Sequence, residues 1–450
     1  MVAACVLGSG AVFLEGSVVS VAVPAIARDF SLGVDGVQWV LNGYMLTLSS
    51  LMLLGGSLGD SYGRRKVFAI GLIAFAVASL LCSIAPSLVT LVAARAIQGA
   101  AGAVLVPNSL AILESDFAAD DRGAAIGQWA GWSAASTALG PFVGGWLVDV
   151  LSWRWVFVSI SPFAVGAAVI AVQHVPAEHR KPEGRIDFLG AAVVTLALAG
   201  LMTALISGAR LGASNPEILA AAIGGTLLVI VFVFVERRAS NPLLPLSMFR
   251  SMQFSGANLE TLFVYAALNG LFFFLMLQLQ NNVGYSALAA GAAILPVNFI
   301  MLGLSPLAGR LATRIGPRIP MTVGAFVAGA GMILLARINR GAEYTTVMLP
   351  AFVVFGLGLA IVVAPLTAAV LAAVPERRSG VASAINNAVA RLAGLLAVAV
   401  LPLVAGVAGL SHPSGPAFAA GYRRAMWICA VLCALGGVIA FATIRRQRDA

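Results

Sequence analysis

The sequence predicts an all-α polytopic membrane protein, for three reasons. Of its 450 residues 60% are hydrophobic and only 10% are charged, whereas a soluble domain carries about 25% charged residues. Apolar stretches recur along the whole chain, and about 20 consecutive apolar residues suffice for a helix to cross a bilayer. The 48 glycines suit helices that pack closely in lipid. Together these features exclude a water-soluble globular protein.

The apolar stretches, each bounded by charge, proline or glycine, define fourteen predicted spanning helices. The first is interpreted as a span rather than a signal peptide, because no basic segment precedes it and Glu15 interrupts it. The spans cover residues 5–26, 37–58, 67–85, 88–113, 123–148, 155–173, 187–208, 217–235, 254–279, 287–309, 319–337, 345–372, 380–407 and 422–444.

The basic residues predict the orientation of these helices. The net charge is +9, but the basic side chains lie in short loops between apolar spans, so they indicate membrane orientation and not a nucleic-acid partner. With a cytoplasmic N-terminus, the inside loops and tail hold 18 of the 27 basic residues and the outside loops hold seven. This asymmetry predicts that both termini are cytoplasmic. The four cysteines lie in apolar runs, which indicates neither a disulfide framework nor a metal site.

The two ends of the chain carry an internal repeat. The loop after span 2, at residues 56–65, and the loop after span 10, at residues 309–318, share a pattern of glycine and arginine at an offset of 253. Pro107 and Pro365 repeat at an offset of 258, and the glycines that open spans 5 and 13 repeat at 257. These offsets map spans 1–6 onto spans 9–14 and leave spans 7 and 8 unpaired.

The repeat predicts the domain organisation. Residues 1–175 form an N-terminal six-helix half, residues 176–250 hold two additional helices and linkers, and residues 251–450 form a C-terminal six-helix half. Parallel halves are typical of transporters whose substrate site lies at the midplane between them. A pore or a membrane enzyme would not require the duplication. The sequence therefore predicts a transporter with 14 transmembrane helices arranged 6+2+6.

The loop after span 2 carries opposite charges beside two helix ends. Gly56 and Gly63 permit a tight turn between spanning helices, and Asp60 lies close to Arg64 and Arg65 in sequence. An ion pair or a helix-dipole contact at this position holds one conformation and releases it in another. We therefore predict a cytoplasmic gate, with an ordinary hairpin that carries inside-positive charges as the alternative. The second copy has a threonine in place of the acid, so the halves are not equivalent gates.

Span 4 carries an arginine at membrane depth. Arg95, Gln98, Gly99 and Gly102 are spaced so that they share one face of a helix. Arginine costs roughly 2.5 to 3.5 kcal/mol at the centre of a spanning helix, so Arg95 is expected to face a partner or a water-filled cavity. The alternative is an arginine that snorkels from the end of the span. Arg391 of span 13 repeats the argument.

Span 5 is rich in small residues at intervals of four. Such spacing permits close contact between helices, while a proline bends the helix. One such pair of glycines is a weak signal, but the longer run Gly140-Pro141-Phe-Val-Gly144-Gly145 is much more specific.

Two carboxylates lie inside predicted spans. Glu15 lies in the middle of span 1, and Glu260 lies in the first half of span 9, the corresponding span of the other half. Loss of water favours the protonated form of a carboxyl group, as a proton carrier requires. The alternative for each is a neutral, hydrogen-bonded structural role. The three histidines lie in loops, so no imidazole relay crosses the membrane.

Polar and aromatic side chains within the spans are candidates to line a substrate cavity. They are Asn42, Tyr44, Gln98, Asn108, Gln128, Trp132, Asn258, Tyr265, Gln278, Asn298 and Asn386. No nucleotide-binding loop, metal cluster or pairing of a nucleophile with a base is present in the sequence. The sequence therefore predicts that the chain is not an enzyme and binds no metal or cofactor.

These motifs resemble the major facilitator superfamily, specifically its 14-helix drug:proton antiporter branch. The segment from Gly56 to Arg65 resembles the signature cytoplasmic loop, Arg95-Ala-Ile-Gln98-Gly99 resembles the span-4 motif, and the run from Gly140 to Gly145 resembles the span-5 motif of exporters. Residues 153–157, 186–190 and 236–245 are similar to connecting segments of that branch, so the resemblance covers essentially the whole chain.

The resemblance implies roles for these residues. In the family the arginine of the span-4 motif is assigned to proton coupling, which places Arg95 beside Glu15 and Glu260 as candidates for that role. The family commonly has aspartate at the Glu15 position, so the titratable group is kept but displaced by one methylene.

The expected function is proton-coupled efflux of amphipathic drugs or similar organic compounds by alternating access. The expected setting is the bacterial cytoplasmic (inner) membrane, with a monomer that uses the proton gradient and binds a small organic substrate. A dedicated proton-coupled transporter of one endogenous metabolite shares the fold and stays the alternative. A non-transporting receptor leaves the duplication and the buried acids without a role.

Overall fold

α-Helices make up the computed structural model. It describes residues 1–116, 119–176, 186–239, 242–374 and 379–444, and no β-strand occurs among them. Side chains are described throughout these ranges except at 114–116, 119–124, 126, 127, 130, 134, 313, 379 and 380. The helices are α1 (Val2–Asp29), α2 (Val34–Tyr62), α3 (Arg64–Ser83), α4 (Leu88–Ala103), α5 (Leu105–Asp116), α6 (Ala119–Val150), α7 (Trp153–His174), α8 (Phe188–Leu211), α9 (Pro216–Arg238), α10 (Met252–Leu277), α11 (Ala287–Ala293), α12 (Leu295–Ile315), α13 (Arg318–Leu335), α14 (Leu349–Ala372), α15 (Ser379–Val404) and α16 (Gly415–Thr443).

Thirteen helical segments in the described part of the chain are long and apolar enough to cross a membrane. They coincide with thirteen of the predicted spans, and spans 4 and 10 each consist of two consecutive helices. The predicted span at 123–148 falls within α6, which has 32 residues and includes most of the side chains that are not described. The chain is thus a multi-pass helical membrane protein.

Proline explains where the two composite spans break. Pro107 has no N–H to donate to the carbonyl of Ala103, four residues earlier, and its ring would collide with that carbonyl. α4 accordingly ends at Ala103 and α5 begins at Leu105. In the same way, α11 ends at Ala293 just before Pro296, which lies in the first turn of α12.

The chain divides into two units, Met1–Leu244 and Pro245–Ala450. In the first unit α1 packs on α6 and α7, α2 packs on α4, and α3 packs on α4 and α7. In the second unit α10 packs on α15 and α16, α12 packs on α14, and α13 packs on α14 and α16. The pairings of the second unit correspond to those of the first when spans 1–6 are mapped onto spans 9–14. The same packing scheme therefore occurs within each unit.

α8 and α9 belong to the first unit, where α8 packs on α2 and α9 packs on α8. Three polar contacts between described residues hold α8 to α2, and one of them runs from the Trp39 indole N–H to the Ser207 hydroxyl at 3.4 Å. The Arg210 guanidinium lies 2.8 Å from a carboxylate oxygen of Asp35, and the Thr195 hydroxyl donates to Ser50 at 3.0 Å. In the most apolar 18-residue window of α9 only 11% of the residues are buried, so most of this helix has no protein neighbour within its unit.

Candidate proton-coupling and gating sites

The first unit contains a buried ion pair between two spanning helices. Glu15 of α1 and Arg95 of α4 are 0% and 1% exposed, and an Nη1–H of Arg95 donates to Oε1 of Glu15. The same nitrogen also donates to Oε1 of Gln98 at 2.8 Å, and Nε of Arg95 donates to the carbonyl of Val40 at 3.1 Å. Arg95 therefore faces a carboxylate inside the bundle, as its predicted position in span 4 requires.

Three further helices support the guanidinium of Arg95. The ring of Tyr44 on α2 lies 4.4 Å from the guanidinium carbon, and the ring of Phe157 on α7 lies 5.8 Å from it. The amide nitrogen of Gln98 donates to the hydroxyl of Ser79 on α3 at 2.8 Å. Ring faces attract a desolvated cation, so these contacts favour the charged form of Arg95 at this depth.

Some buried polar side-chain atoms of α1 and α2 have no partner among the described residues. Among the described residues, Oε2 of Glu15 and both amide atoms of Asn42 are buried and make no hydrogen bond. A buried polar atom without a partner costs about 1 to 3 kcal/mol. Oε2 of Glu15 is thus the atom at which a proton would be gained with no hydrogen bond to break.

Glycine permits the close crossing of α2 and α4 that brings Arg95 to this position. A Cβ at Gly43 would lie 3.2 Å from the carbonyl oxygen of Val92, and one at Gly99 would lie 3.0 Å from the carbonyl carbon of Tyr44. These separations are tighter than ordinary van der Waals contact, so the backbones approach closely only because both residues lack a side chain.

The loop after α2 forms a compact set of polar contacts. Nε and Nη2 of Arg64 donate to Oδ1 of Asp60 at 3.1 and 2.9 Å, and Nη1 donates to the carbonyl of Ala111 at 2.7 Å. Nη1 of Arg65 donates to the carbonyl of Val175, which follows α7, at 3.0 Å. The two arginines thus connect this loop to α5 and to the end of α7.

Backbone conformation and helix packing shape the same loop. Gly63 directly follows the last residue of α2 and has a φ of 93°, a conformation that other residues rarely adopt. Gly56 faces Pro107 of α5, and the Asn108 side-chain amide donates to the carbonyl of Gly55 at 2.9 Å. Asn108, a predicted cavity residue, is 1% exposed and connects α2 to α5 in this structure.

The glycine run of α6 lies against α1. A Cβ at Gly144 would lie 2.7 Å from Cγ1 of Val18 and 3.0 Å from its carbonyl oxygen, and one at Gly140 would lie 2.9 Å from Cβ of Ser17. Pro141 and Gly145 are also buried. Nearer the start of α6, Trp129 donates its indole N–H to the hydroxyl of Ser9 on α1 at 3.0 Å. This contact supports the interpretation of the run as a close-packing motif.

The buried acid of the second unit has a different environment. Glu260 of α10 is 0% exposed, and neither of its carboxyl oxygens has a hydrogen-bond partner among the described residues. Its side chain faces α16, where a Cβ at Gly436 would lie 3.6 Å from Cγ of Glu260. On α15, Asn386 donates to the hydroxyl of Thr261 at 2.7 Å and to Oδ1 of Asn258 at 3.2 Å.

The remaining predicted cavity residues occupy varied environments. Trp132 is 62% exposed and Gln128 is exposed, whereas Tyr265 and Asn298 are half-buried. Gln278 is buried in a π-helical turn, Gln278–Val283, and donates to the carbonyl of Ile338 at 3.1 Å.

One polar cluster was missed by sequence reasoning. Asp29 at the end of α1 accepts a hydrogen bond from the indole of Trp153 at 2.9 Å and from Arg154 at 2.8 Å. In the sequence, residues 153–157 show only a resemblance to a connecting segment of the family and indicate no ion pair. The signal for a pair was the placement of one acid and one arginine in the two loops that the predicted topology puts on the same side.

Comparisons with known proteins agree with this architecture. The profile of the Major Facilitator Superfamily matches residues 5–398. The puromycin resistance protein pur8 of Streptomyces alboniger is 33% identical over 453 residues, which cover 98% of this chain and 90% of the relative. The tetracenomycin C resistance and export protein of Streptomyces glaucescens is 33% identical over 404 residues, or 88% of this chain and 74% of the relative.

A solved structure shows the same fold. The bacterial homologue of the human lysosomal transporter Spinster, in an inward-facing and unoccupied conformation, superimposes with a TM-score of 0.68 at 17% identity and covers 98% of this chain and 96% of that one. Members of the matched family are membrane transporters and not enzymes. With a profile match across most of its length and relatives at 33% identity, the chain belongs to the Major Facilitator Superfamily.

Proposed function

We propose that this protein exports amphipathic organic compounds, drugs among them, across the bacterial cytoplasmic membrane in exchange for protons. In this proposal fourteen spanning helices are arranged 6+2+6, with halves at 1–175 and 251–450 and two additional helices within 176–250. Both termini are cytoplasmic, and the protein works as a monomer with the proton gradient as its only energy source. The recurrence of one packing scheme in both units supports the arrangement.

The buried pair of Glu15 and Arg95 is the observation that carries proton coupling. A carboxylate and a guanidinium that are 0% and 1% exposed cost several kcal/mol in lost hydration, and their attraction offsets that cost only while both are charged. A proton on Glu15 removes one partner and leaves the charge of Arg95 uncompensated. Binding of a single proton thus shifts the relative stability of conformations in which Arg95 has different surroundings.

In the proposed cycle, Glu15 takes up a proton from the outside as the substrate leaves. The halves then rock to open the cytoplasmic side, where the proton is released and Glu15 pairs with Arg95 again. Glu260 is proposed as a second proton-binding group, because its buried carboxyl oxygens have no partner among the described residues. Substrate binding is proposed for the predicted cavity residues. Among them, Asn42 has a buried side-chain amide whose two polar atoms make no hydrogen bond with the described residues.

The gating proposal concerns the loop after α2. Asp60, Arg64 and Arg65 form contacts that fix this loop against α5 and the end of α7. We propose that they stabilise one closed state of the cytoplasmic gate, with Gly56 and Gly63 providing the tight turn. Loss of the Asp60 charge would then change the populations of inward-open and outward-open states.

The relatives support export of organic compounds. One relative is named for resistance to puromycin and another for resistance to and export of tetracenomycin C. The motif from Gly140 to Gly145, proposed here as the exporter motif, lies in close contact with α1, the helix that carries Glu15.

The test is proton movement in proteoliposomes that contain a pH probe. A panel of cationic and anionic drugs is added to wild type, Glu15→Gln, Glu15→Asp and the control Glu217→Gln. The control removes an exposed acid in the first turn of α9. Drug-evoked proton flux is expected for wild type and the control, is reduced but present in Glu15→Asp, and is absent in Glu15→Gln. Equal flux in Glu15→Gln and wild type would exclude Glu15 as the carrier. Flux that responds to one metabolite and to no drug would replace drug export with dedicated metabolite transport.

A further inference from the structure

A groove lies at one end of the second unit, between α13 and α16. It has a volume of about 790 Å³ and is lined mainly by apolar residues of both helices and of the segment that leads into α14. Two arginines also line it, Arg337, just after α13, and Arg423, in the third turn of α16. No acidic residue is among the lining residues. The groove is thus apolar with a positively charged rim.

The two arginines have no partner within the described part of the chain. Neither the Arg337 nor the Arg423 side chain makes a hydrogen bond or ion pair with another described residue. Arg154 and Arg210 of the first unit differ from them, since Arg154 pairs with Asp29 and Arg210 pairs with Asp35. Two cations that line one groove without an acidic residue among its lining favour binding of an anionic group from outside the protein.

The groove is continuous with surfaces that face the lipid. On α16 the exposed residues Trp427, Val431 and Leu435 follow Arg423 at intervals of four. On α13 the exposed residues Ile319, Val323 and Phe326 lie on the side that leads towards Arg337. Each helix therefore carries an apolar stripe that ends at an arginine.

The order of side chains along α16 matches the layers of a membrane. The apolar stripe corresponds to the acyl region, and the indole of Trp427, which is 54% exposed, is of the type that lies at the interface. Arg423 comes one helical turn further out, at the level of the headgroups. This end of the unit is opposite the 310–318 loop, and in the orientation proposed above it faces outward, where arginines are otherwise few.

From this juxtaposition we infer that the groove binds an anionic phospholipid. Arg337 and Arg423 contact its phosphate, Trp427 lies at the level of the glycerol, and one acyl chain follows the apolar stripes of α13 and α16. Guanidinium groups bind phosphate through paired N–H donors. A soluble anion would use the arginines but not the stripes, so the continuity of charge with apolar surface favours the lipid.

Binding is measured by native mass spectrometry of the full-length protein in detergent, titrated with phosphatidylglycerol or with phosphatidylcholine of the same chains. Wild type is compared with Arg337→Gln/Arg423→Gln. The control Arg340→Gln/Arg424→Gln removes the same charge from the segment after α13 and from α16, at positions that do not line the groove. Thermal unfolding of each variant checks its fold.

We expect the groove variant to bind phosphatidylglycerol about thirtyfold more weakly, since each arginine near a membrane surface contributes about 1 kcal/mol and 1.4 kcal/mol corresponds to a factor of ten. The control is expected to bind like wild type, and phosphatidylcholine is expected to bind weakly to all three. Should the double variant fail to fold, the single variants Arg337→Gln and Arg423→Gln are each expected to weaken binding about fivefold.

Two outcomes would overturn the inference. The first is equal retention of phosphatidylglycerol by the groove variant and wild type. The second is displacement of the lipid by millimolar inorganic phosphate, which would identify a site for soluble anions instead.

Discussion

Each unit of the protein has a fully buried glutamate in its first long helix, but only one of the two has a basic partner. Glu15 in the first unit accepts a hydrogen bond from Arg95. Glu260 in the second unit has neither an ion pair nor a hydrogen bond among the described residues. The difference arises in the partner helices, because α4 carries Arg95 whereas α14, which has the equivalent place in the repeat, has no charged residue.

The comparison indicates that two similar scaffolds each hold a buried glutamate, but that this glutamate has a basic partner in only one of them. A buried carboxylate with a guanidinium partner is stable while charged, whereas one without a partner is stable when protonated. The first unit thus holds an ion pair that a proton on Glu15 would break, whereas in the second unit protonation of Glu260 would break no ion pair or hydrogen bond between described residues. The loop after span 2 and its repeat after span 10 also differ in charge, because Thr313 occupies the position in the second loop that Asp60 has in the first.

The largest effect is expected when the buried ion pair loses its basic partner, Arg95. Arg95→Met leaves the Glu15 carboxylate buried without a partner, which is expected to destabilise the protein by about 3 to 5 kcal/mol and abolish drug-evoked proton flux. Glu15→Gln/Arg95→Met is expected to recover most of the stability and none of the transport. Thermal unfolding in detergent and flux in proteoliposomes measure the two properties. A stability loss that persists in the double variant would show that packing of Arg95, and not its charge, is what matters.

The next effect tests whether close packing of α6 on α1 supports Glu15. Gly144→Ala places a methyl group 2.7 Å from Cγ1 of Val18 and is expected to destabilise the protein by about 1 to 3 kcal/mol. Gly131→Ala is the matched control on the same helix, because no atom lies within 4 Å of its added Cβ. It is expected to be neutral or to stabilise the protein by up to about 1 kcal/mol. Equal unfolding temperatures for the two variants would contradict the packing role.

A smaller effect is expected for the acid without a partner. Glu260→Gln keeps the shape of a protonated glutamate, so stability is expected to change by less than about 1 kcal/mol. Proton flux is expected to fall less than in Glu15→Gln, and the number of protons moved per drug is expected to drop. The ratio of proton to drug flux, measured in the same liposomes, checks this. A large loss of stability would indicate that Glu260 is charged in the folded protein.

The smallest effect on stability is expected at the gate. Asp60 and Arg64 form an i, i+4 pair whose side chains are 60% and 15% exposed, so Asp60→Asn is expected to cost less than about 1 kcal/mol. Its effect is expected in the populations of inward-open and outward-open states, which distance measurements between spin labels report. The conservative variant Asp60→Glu is expected to keep the wild-type populations. Unchanged populations and transport in Asp60→Asn would remove the gating role.

The positions of the helices were largely predictable from the sequence. Spanning length and apolar content are properties of contiguous residues, so thirteen predicted spans coincide with helices of the described chain. The break before Pro107 also follows from local chemistry, because the missing N–H acts on the carbonyl four residues earlier. The correspondence between the helix pairings of the two units follows the internal repeat, which the sequence shows as matching residues at offsets of 253 to 258.

The contacts of the candidate functional side chains were harder to predict from the sequence. Membrane depth alone predicts that Arg95 requires a partner, and the resemblance to the family placed Arg95 together with Glu15. The ring of Tyr44, the hydroxyl of Ser79 and the carbonyl of Val40 belong to helices that only packing brings together. The roles of Glu15, Arg95, Glu260, Asp60 and the motif from Gly140 to Gly145 stay predictions.

By itself, the sequence determined that the chain is a helical membrane protein with a duplicated architecture, since hydropathy, proline and repeat spacing act along the chain. Tertiary structure alone decided which buried acid has a cation, which carbonyls the loop arginines reach and where two arginines line an apolar groove. These features depend on distances between residues that are far apart in sequence. Such distances are set by how close the helices approach, and at α2, α4 and α6 that approach depends on glycines that lack a side chain.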